Sequence, residues 1–220
     1  WSRERYIKTR KLCQGIQSVG SLRGQSSHHH NPFVVLKRPT ADERQGEVIG
    51  FSLIYSGNYL IQAEVDTYDT ARVMLGLHKE EFSWHLDPGE SFQTPEAVMV
   101  YSDEGLGGMS RTFHRLYQKR LARGYWRDRP RPILLNNWEA TYFNFTEEKL
   151  LTIAKKAKEC GVELFVLDDG WFGARSDDTA GLGDWVANRE RLPEGIKGIS
   201  EKVEALGMKF GLWFEPEMVN

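Results

Sequence analysis

From Ile133 onward, apolar runs of strand length alternate with stretches of helical periodicity. Ile133, Leu134 and Leu135 run into Asn136, Asn137 and Trp138. Thr146-Glu147-Glu148 then opens a helix, with Thr as the cap and two acids at the positive helix end. Leu150, Ile153, Ala154 and Ala157 give it one apolar stripe, and Gly161 stops it. Leu164–Leu167 is too short for a helix and rich in strand formers, so it reads as a strand buried on both faces. Ile196, Ile199, Val203 and Leu206 predict a second helix, stopped by Gly207. Met208–Phe214 predicts a third strand, which ends in Glu215-Pro216-Glu217. This strand–helix alternation is the mark of a parallel α/β fold. Each strand ends in polar or aromatic residues, the pattern of a (β/α)8 TIM barrel with its site on one rim. A doubly wound sheet is the alternative. It expects a glycine-rich phosphate loop after the first strand, where this chain has Asn136-Asn137-Trp138-Glu139-Ala140. A closed barrel needs more strands than the three read here, so the chain reads as part of a longer enzyme.

Residues 1–104 read differently. Pro32–Leu36, Glu47–Tyr55, Asn58–Val65, Arg72–Leu77, Phe82–Leu86 and Ala97–Tyr101 are short runs rich in Val, Ile, Phe and Tyr. Ser56-Gly57 is a hairpin signal between two of them, and Asp87-Pro88-Gly89 is a turn. Many short strands with frequent turns predict an antiparallel β-sandwich. Gly107-Gly108 opens a helix with Met109, Phe113, Leu116, Tyr117 and Leu121 on one face. Residues 105–130 are therefore expected to form a linker helix between a β part and an α/β part at 131–220. Arg127–Pro132 forms its polar, proline-punctuated end.

The net charge of −2 over 220 residues gives no basis for binding nucleic acid or an anionic membrane. No apolar run is long enough to span a bilayer. Cys13 and Cys160 make no disulfide framework, which fits a reducing, cytoplasmic setting, and Cys160 is expected to be a buried free thiol. His28, His29 and His30 are consecutive. On an extended chain they point to alternating sides and cannot all grip one ion, so no metal is expected there, only a packed loop.

Chemistry is suggested at Asp168-Asp169-Gly170-Trp171-Phe172. Carboxylates at the carboxyl end of a parallel strand, beside flat aromatic rings, suit a sugar. The acids accept hydroxyl protons and the rings stack on the C–H face of a pyranose. Asp-Asp-Gly is also a common strand-ending turn. Retaining glycoside hydrolysis needs two carboxyl groups about 5 Å apart, facing each other across the bond. Neighbours on a strand project to opposite sides, so Asp168 and Asp169 suit gripping two adjacent hydroxyls rather than cleaving. Both must then be ionised, which requires donors around them to offset their repulsion. Glu215 either faces the same pocket or, like Glu217, serves as a strand-end salt bridge or a cap for the next helix. The long loop from Gly170 to Pro193 is of a length that is usually functional.

Arg131-Pro132-Ile133-Leu134-Leu135-Asn136-Asn137-Trp138-Glu139-Ala140, Leu167–Phe172, Gly183-Asp184-Trp185 and Gly211–Met218 together resemble α-galactosidases of glycoside hydrolase family 36. Upstream, Arg23-Gly24, Ser26-Ser27-His28 and Asn31-Pro32-Phe33 resemble the late part of that family's N-terminal β-sandwich. The resemblance implies retaining release of terminal α-linked galactose from melibiose, raffinose or stachyose, with no metal and no cofactor. It implies that Asp168 and Asp169 bind galactose hydroxyls. Trp138 and Trp213 would line the sugar subsite, and Asp184 and Trp185 would lie on a loop over it. The nucleophile and the acid/base are expected after Asn220, which leaves no catalytic residue in this stretch and predicts that it is inactive alone. A bacterial homo-oligomer, by resemblance a tetramer, is implied for the full-length protein. A non-catalytic galactose-binding module and an α-galactosyl transferase on the same scaffold remain as alternatives.

Overall fold

The computed structural model describes residues 8–26, 29–80 and 82–220. Ser27 and His28, part of the resemblance motif and of the histidine run, lie outside the described residues. The chain divides into two compact units, residues 1–127 and 128–220.

The first unit holds β1 (Gly15–Ser21), β2 (Phe33–Lys37), β3 (Val48–Ile54), β4 (Tyr59–Val65), β5 (Ala71–Leu77) and β6 (Glu96–Ser102). They form two antiparallel three-stranded sheets, ordered β1-β4-β5 and β2-β3-β6. One apolar cluster joins the sheets: Leu53 from β3 and Val34 from β2 meet Tyr59 and Ile61 from β4, with Val19, Val73 and Leu75 around them. Full burial of side chains of this size stabilises by about 1.5–3 kcal/mol each.

The structure corrects three sequence expectations in this unit. Ser56-Gly57 does not close a hairpin, because β3 and β4 lie in different sheets and the turn carries the chain from one to the other. Phe82–Leu86 alternates like a strand but has no strand partner among the described residues. The Phe82 and Trp84 rings instead lie against Phe92, with centroids 5.9 and 4.8 Å away. Strand β1 was not expected, since Gly and Ser are depleted in strands. It is nonetheless paired with β4 along its length, from Gly15 opposite Val65 to Ser21 opposite Tyr59.

Helix α1 (Gly105–Leu116) packs on the β2-β3-β6 sheet, where Met109 and Phe113 join Ala41, Val48 and Val100 in a second core. Gly50 on β3 permits this approach, since a Cβ there would lie 2.6 Å from both Met109 Sδ and Phe113 Cε2. A π turn, Tyr117–Leu121, follows α1 and shifts the helical phase, so Leu121 is exposed rather than on the packed face. The helical part of residues 105–130 is thus an integral element of the first unit.

The second unit holds β7 (Leu134–Asn136), α2 (Trp138–Thr141), α3 (Glu147–Glu159), β8 (Leu164–Leu167), α4 (Gly195–Glu204) and β9 (Lys209–Leu212). The strands form one parallel sheet in the order β7-β8-β9. Thr146 caps α3, its hydroxyl accepting the Lys149 N–H at 3.3 Å. Gly161, at φ +86°, ends that turn in a conformation an L side chain would resist. Leu150, Ala154 and Ala157 of α3 and Ile199 and Val203 of α4 cover Phe165 and Leu167 of β8, both fully buried. Cys160 caps α3 off the Leu150–Ala154–Ala157 stripe and is exposed, not buried as expected. Among the described residues no helix is long and apolar enough to cross a membrane.

Candidate active site

Strand register fixes which side chains share a face. Leu134 lies opposite Leu164 and Asn136 opposite Val166; Gly211 lies opposite Val166 and Leu212 opposite Leu167. With side chains alternating along each strand, Phe165 and Leu167 face α3 and α4, while Leu164 and Val166 face the other way. A Cβ on Gly211 would lie 3.3 Å from Val166 Cγ2 and 3.7 Å from Leu164 Cδ1, which places it on that second face. Continued past the strand ends, the alternation sets Asn136, Asp168 and Trp213 on the second face and Asn137 and Asp169 on the helix-covered face.

Hydrogen bonds support this division. Asn136 donates through Nδ2 to Asp168 Oδ2 in a short contact, and its Oδ1 accepts the Trp138 N–H at 2.7 Å. One side chain therefore links the end of β7 to the end of β8 and orients the start of α2. Asn137 is fully buried. Its Oδ1 accepts the Asp168 N–H at 2.8 Å and its Nδ2 donates to Thr141 Oγ1 at 2.8 Å. Asp168 Oδ1 accepts the Asp169 N–H at 2.7 Å. Asp168 remains only partly buried, whereas Asp169 is 6% exposed.

Asp169 is enclosed by Arg175. The guanidinium donates through Nε to Oδ1 at 2.6 Å and through Nη2 to Oδ2 at 2.8 Å. The Gly170 N–H adds a bond to Oδ1 at 2.6 Å. The hydrogen bond that Arg175 donates to Asp169 raises the Arg175 pKa, burial opposes it, and the charges of Asp169, Glu215 and Asp178 add to the rise. Burial pushes the Glu215 carboxyl up; Glu217 reinforces this, Arg175 opposes it, and Asp169 adds a smaller push. Glu215 thus feels the charges of Asp169 and Arg175, and among the described residues it forms no ion pair with Arg175. Below Asp169, Arg191 Nη1 donates to the Gly170 carbonyl at 2.6 Å and its guanidinium lies 5.1 Å over the Phe145 ring. Burial lowers the Arg191 pKa.

The expected tryptophans occupy two settings. Trp138 stands edge-on to Tyr142 and Phe143, at 5.2 and 5.0 Å. Tyr142 is held at φ +46°, a conformation costly for an aromatic residue, and so turns the chain sharply enough to bring both rings against Trp138. Trp213 continues β9, its N–H donating to the Leu167 carbonyl at 2.9 Å, and its own carbonyl accepts Trp171 Nε1 at 2.9 Å. Trp185 packs against Trp171, Phe172 and Phe214, with centroids 6.1, 4.5 and 5.1 Å away, so its ring belongs to an aromatic cluster at the edge of the core. Asp184 is exposed, on a turn closed by its own N–H to the Gly181 carbonyl at 3.1 Å. The Gly170–Pro193 loop is not loose: Trp171, Phe172, Leu182 and Leu192 are buried within it. Among the described residues no group of three or more His, Cys, Asp or Glu could hold a metal ion.

Sequence reasoning did not single out Arg175 or the bridging roles of Asn136 and Asn137. A signal existed. Asp169 shares its parity with the buried Phe165 and Leu167, and a carboxylate on a buried face demands a cation. Nothing in the loop sequence says which arginine answers that demand.

The melibiase family model matches residues 91–220, and the model of the glycosyl hydrolase family 36 N-terminal domain matches residues 1–87. Alpha-galactosidase AgaA of Geobacillus stearothermophilus is 61% identical over 220 residues, covering 100% of this chain and 30% of the relative. Alpha-galactosidase Mel36A of Lactobacillus acidophilus is 49% identical over 217 residues, covering 99% of this chain and 30% of the relative. A crystal structure of a doubly substituted AgaA in complex with raffinose matches with a TM-score of 0.93 at 60% identity, over 100% of this chain and 31% of that one. The chain thus spans less than a third of the length of these relatives.

Proposed function

The chain belongs to glycosyl hydrolase family 36, the family of the melibiase model, and we propose that it forms the sugar-gripping part of a retaining α-galactosidase. In this reading the parallel β7-β8-β9 sheet is the start of a (β/α)8 catalytic barrel. The first unit is the later part of the N-terminal β-sandwich, and the rim of the sheet receives terminal α-linked galactose. The substrates are galactose-containing oligosaccharides such as melibiose, raffinose and stachyose. The raffinose complex of the AgaA variant supports that substrate class.

The carrying observation is the acceptor capacity left at the strand ends. An ionised carboxylate offers about four lone-pair positions. Among the described residues, Asp168 spends one on Asn136 and one on the Asp169 N–H, leaving two. Asp169 spends two on Oδ1 and one on Oδ2, leaving one. Asp168 is therefore the principal hydroxyl acceptor. Asp169 contributes through its remaining Oδ2 position, with Trp138 and Trp213 as flanking aromatic walls. Asp184 and Trp185 belong to the loop that borders the site. The two aspartates are not the nucleophile and acid/base pair: they sit side by side at one strand end and cannot flank one glycosidic bond. The bond-cleaving carboxyls come from the remainder of the enzyme.

Asp168→Asn in the full-length enzyme tests the assignment. Two charge-assisted hydrogen bonds at about 1.5–3 kcal/mol each predict a loss of about 100- to 10,000-fold in kcat/KM on an aryl α-galactoside. Inhibition by free galactose should weaken in parallel. Turnover and galactose inhibition at wild-type levels would refute the role.

A further inference from the structure

Asp169 is well placed to help hold a sugar only if something keeps its carboxylate aimed. We propose that Arg175 is the positioning residue that does so. It does not touch the sugar, yet fixes Asp169 and ties it to the loop that borders the site. The inference rests on the galactose-binding reading and adds to it a residue that the family resemblance did not indicate.

Three directed bonds leave the guanidinium little freedom. Nε and Nη2 grip both oxygens of Asp169, and Nη1 donates to the Ala180 carbonyl at 2.7 Å. The two ends of that grip lie on different segments, the end of β8 and the middle of the Gly170–Pro193 loop. The Arg175 side chain is 3% exposed and that of Asp169 8%. Two rings flank the cation, Phe143 at 5.5 Å and Phe172 at 5.9 Å from Cζ. Gly181, at φ +91°, passes so close that a Cβ there would lie 3.0 Å from the Arg175 Cβ. The loop backbone is thus moulded over this arginine.

The geometry needs a planar fork, not merely a positive charge. Lysine has one nitrogen and cannot serve both oxygens of Asp169 and the Ala180 carbonyl with the same directions. Phe143 also couples the pair to the sugar wall, because the same ring that flanks Arg175 stands edge-on to Trp138 at 5.0 Å. Loss of the fork would free Asp169 to rotate, release the loop at Ala180 and loosen the backing of Trp138. The first of these, the freed Asp169, is the one that sugar affinity reads ahead of bond cleavage.

The test uses full-length enzyme with Arg175→Lys and Arg175→Ala, reading KM, kcat and the galactose inhibition constant on an aryl α-galactoside. Arg175→Lys should raise KM and the galactose constant by about tenfold or more, the worth of one charge-assisted hydrogen bond, with a smaller fall in kcat. Added methylguanidinium should restore galactose binding to Arg175→Ala, and methylammonium should not. Wild-type constants in Arg175→Lys, or a fall in kcat alone, would overturn the proposal. Should Arg175→Lys fail to fold, Asp169→Asn is compared with Asp169→Asn/Arg175→Gln, which buries no unpaired anion. If Arg175 acts through Asp169, the two bind galactose equally; a further loss of about tenfold in the double variant would overturn the proposal. Asp168→Asn run in parallel separates the two ideas. If it binds galactose normally, the sugar reading itself fails. If it loses binding while Arg175→Lys does not, only the positioning role fails.

Discussion

Among the described residues, the buried polar side chains of the first unit are Ser21, Ser52 and Ser102, while those of the second are Asn137, Asp169 and Arg175. Each serine is satisfied locally or by one neighbour: Ser21 donates to the Gln25 carbonyl, Ser52 accepts from Tyr117, and Ser102 accepts the Glu104 N–H. None carries charge. The second unit buries a carboxylate and a guanidinium at the end of its central strand. Desolvating such a pair is expensive, and apolar residues of similar size are often as good or better for stability. The first unit shows that this chain can build cores without that expense. The charge pair in the second unit is therefore better explained by what lies beside it, the partly exposed Asp168 at the end of the same strand, than by folding.

The sharpest way to break this comparison is to remove one charge. Arg175→Met leaves Asp169 buried and unpaired and should cost about 3–5 kcal/mol. Hydrogen exchange of the β8 and Gly170–Pro193 segments in the full-length protein would report it. Asp169→Leu/Arg175→Met should recover most of that stability while remaining unable to bind galactose. A harmless Arg175→Met would mean that Asp169 is already hydrated, and the contrast between the units would dissolve.

The first unit should fail by packing instead. Gly50→Ala places a methyl group against Met109 and Phe113, both buried in the interface of α1 with β3. Overpacking of this kind costs about 1–3 kcal/mol. Faster exchange should be confined to β3, β6 and α1. Next in size is Thr146→Ala, which removes the α3 cap and should cost about 1 kcal/mol, seen as fraying of the first turn of that helix. A larger loss than for Gly50→Ala would show the second unit to be limited by local helix stability rather than by its charge pair.

The second unit was the more legible of the two in sequence, for a physical reason. Its signals are local: Thr146 as a cap, Leu150, Ala154 and Ala157 as a stripe, Gly161 as a stop, and an apolar run ending in Asp168. The first unit depends on pairing between distant strands. Ser56-Gly57 has the composition of a hairpin, yet whether it joins two strands of one sheet or crosses between sheets is settled only by which strands lie alongside. Strand β1 is held by backbone bonds to β4, which residue identity does not report. The strand-end positions of Asp168 and Trp213 were readable because parity places them. Arg175 was not, because its partner lies six residues back across a turn and no spacing rule links a loop arginine to a strand-end carboxylate.

The smallest expected effect concerns Glu215, whose pKa is raised chiefly by burial. Its native pKa therefore lies above the unfolded one, so the native state binds the proton more tightly. That contribution to stability is fully present below the ordinary value of 4.5 and is lost as pH rises through the native pKa. At neutral pH the ionised Glu215 is then a burden, facing Glu217 and Asp169 with only Arg175 in compensation. Glu215→Gln should raise the melting temperature at neutral pH, and the gain should shrink as pH falls toward 4.5 and vanish below it. The opposite sign, a less stable Gln variant at neutral pH, would mean that attraction to Arg175 outweighs the other three influences. Arg175 would then serve two carboxylates, and the second unit's buried cation would be shared rather than committed to Asp169.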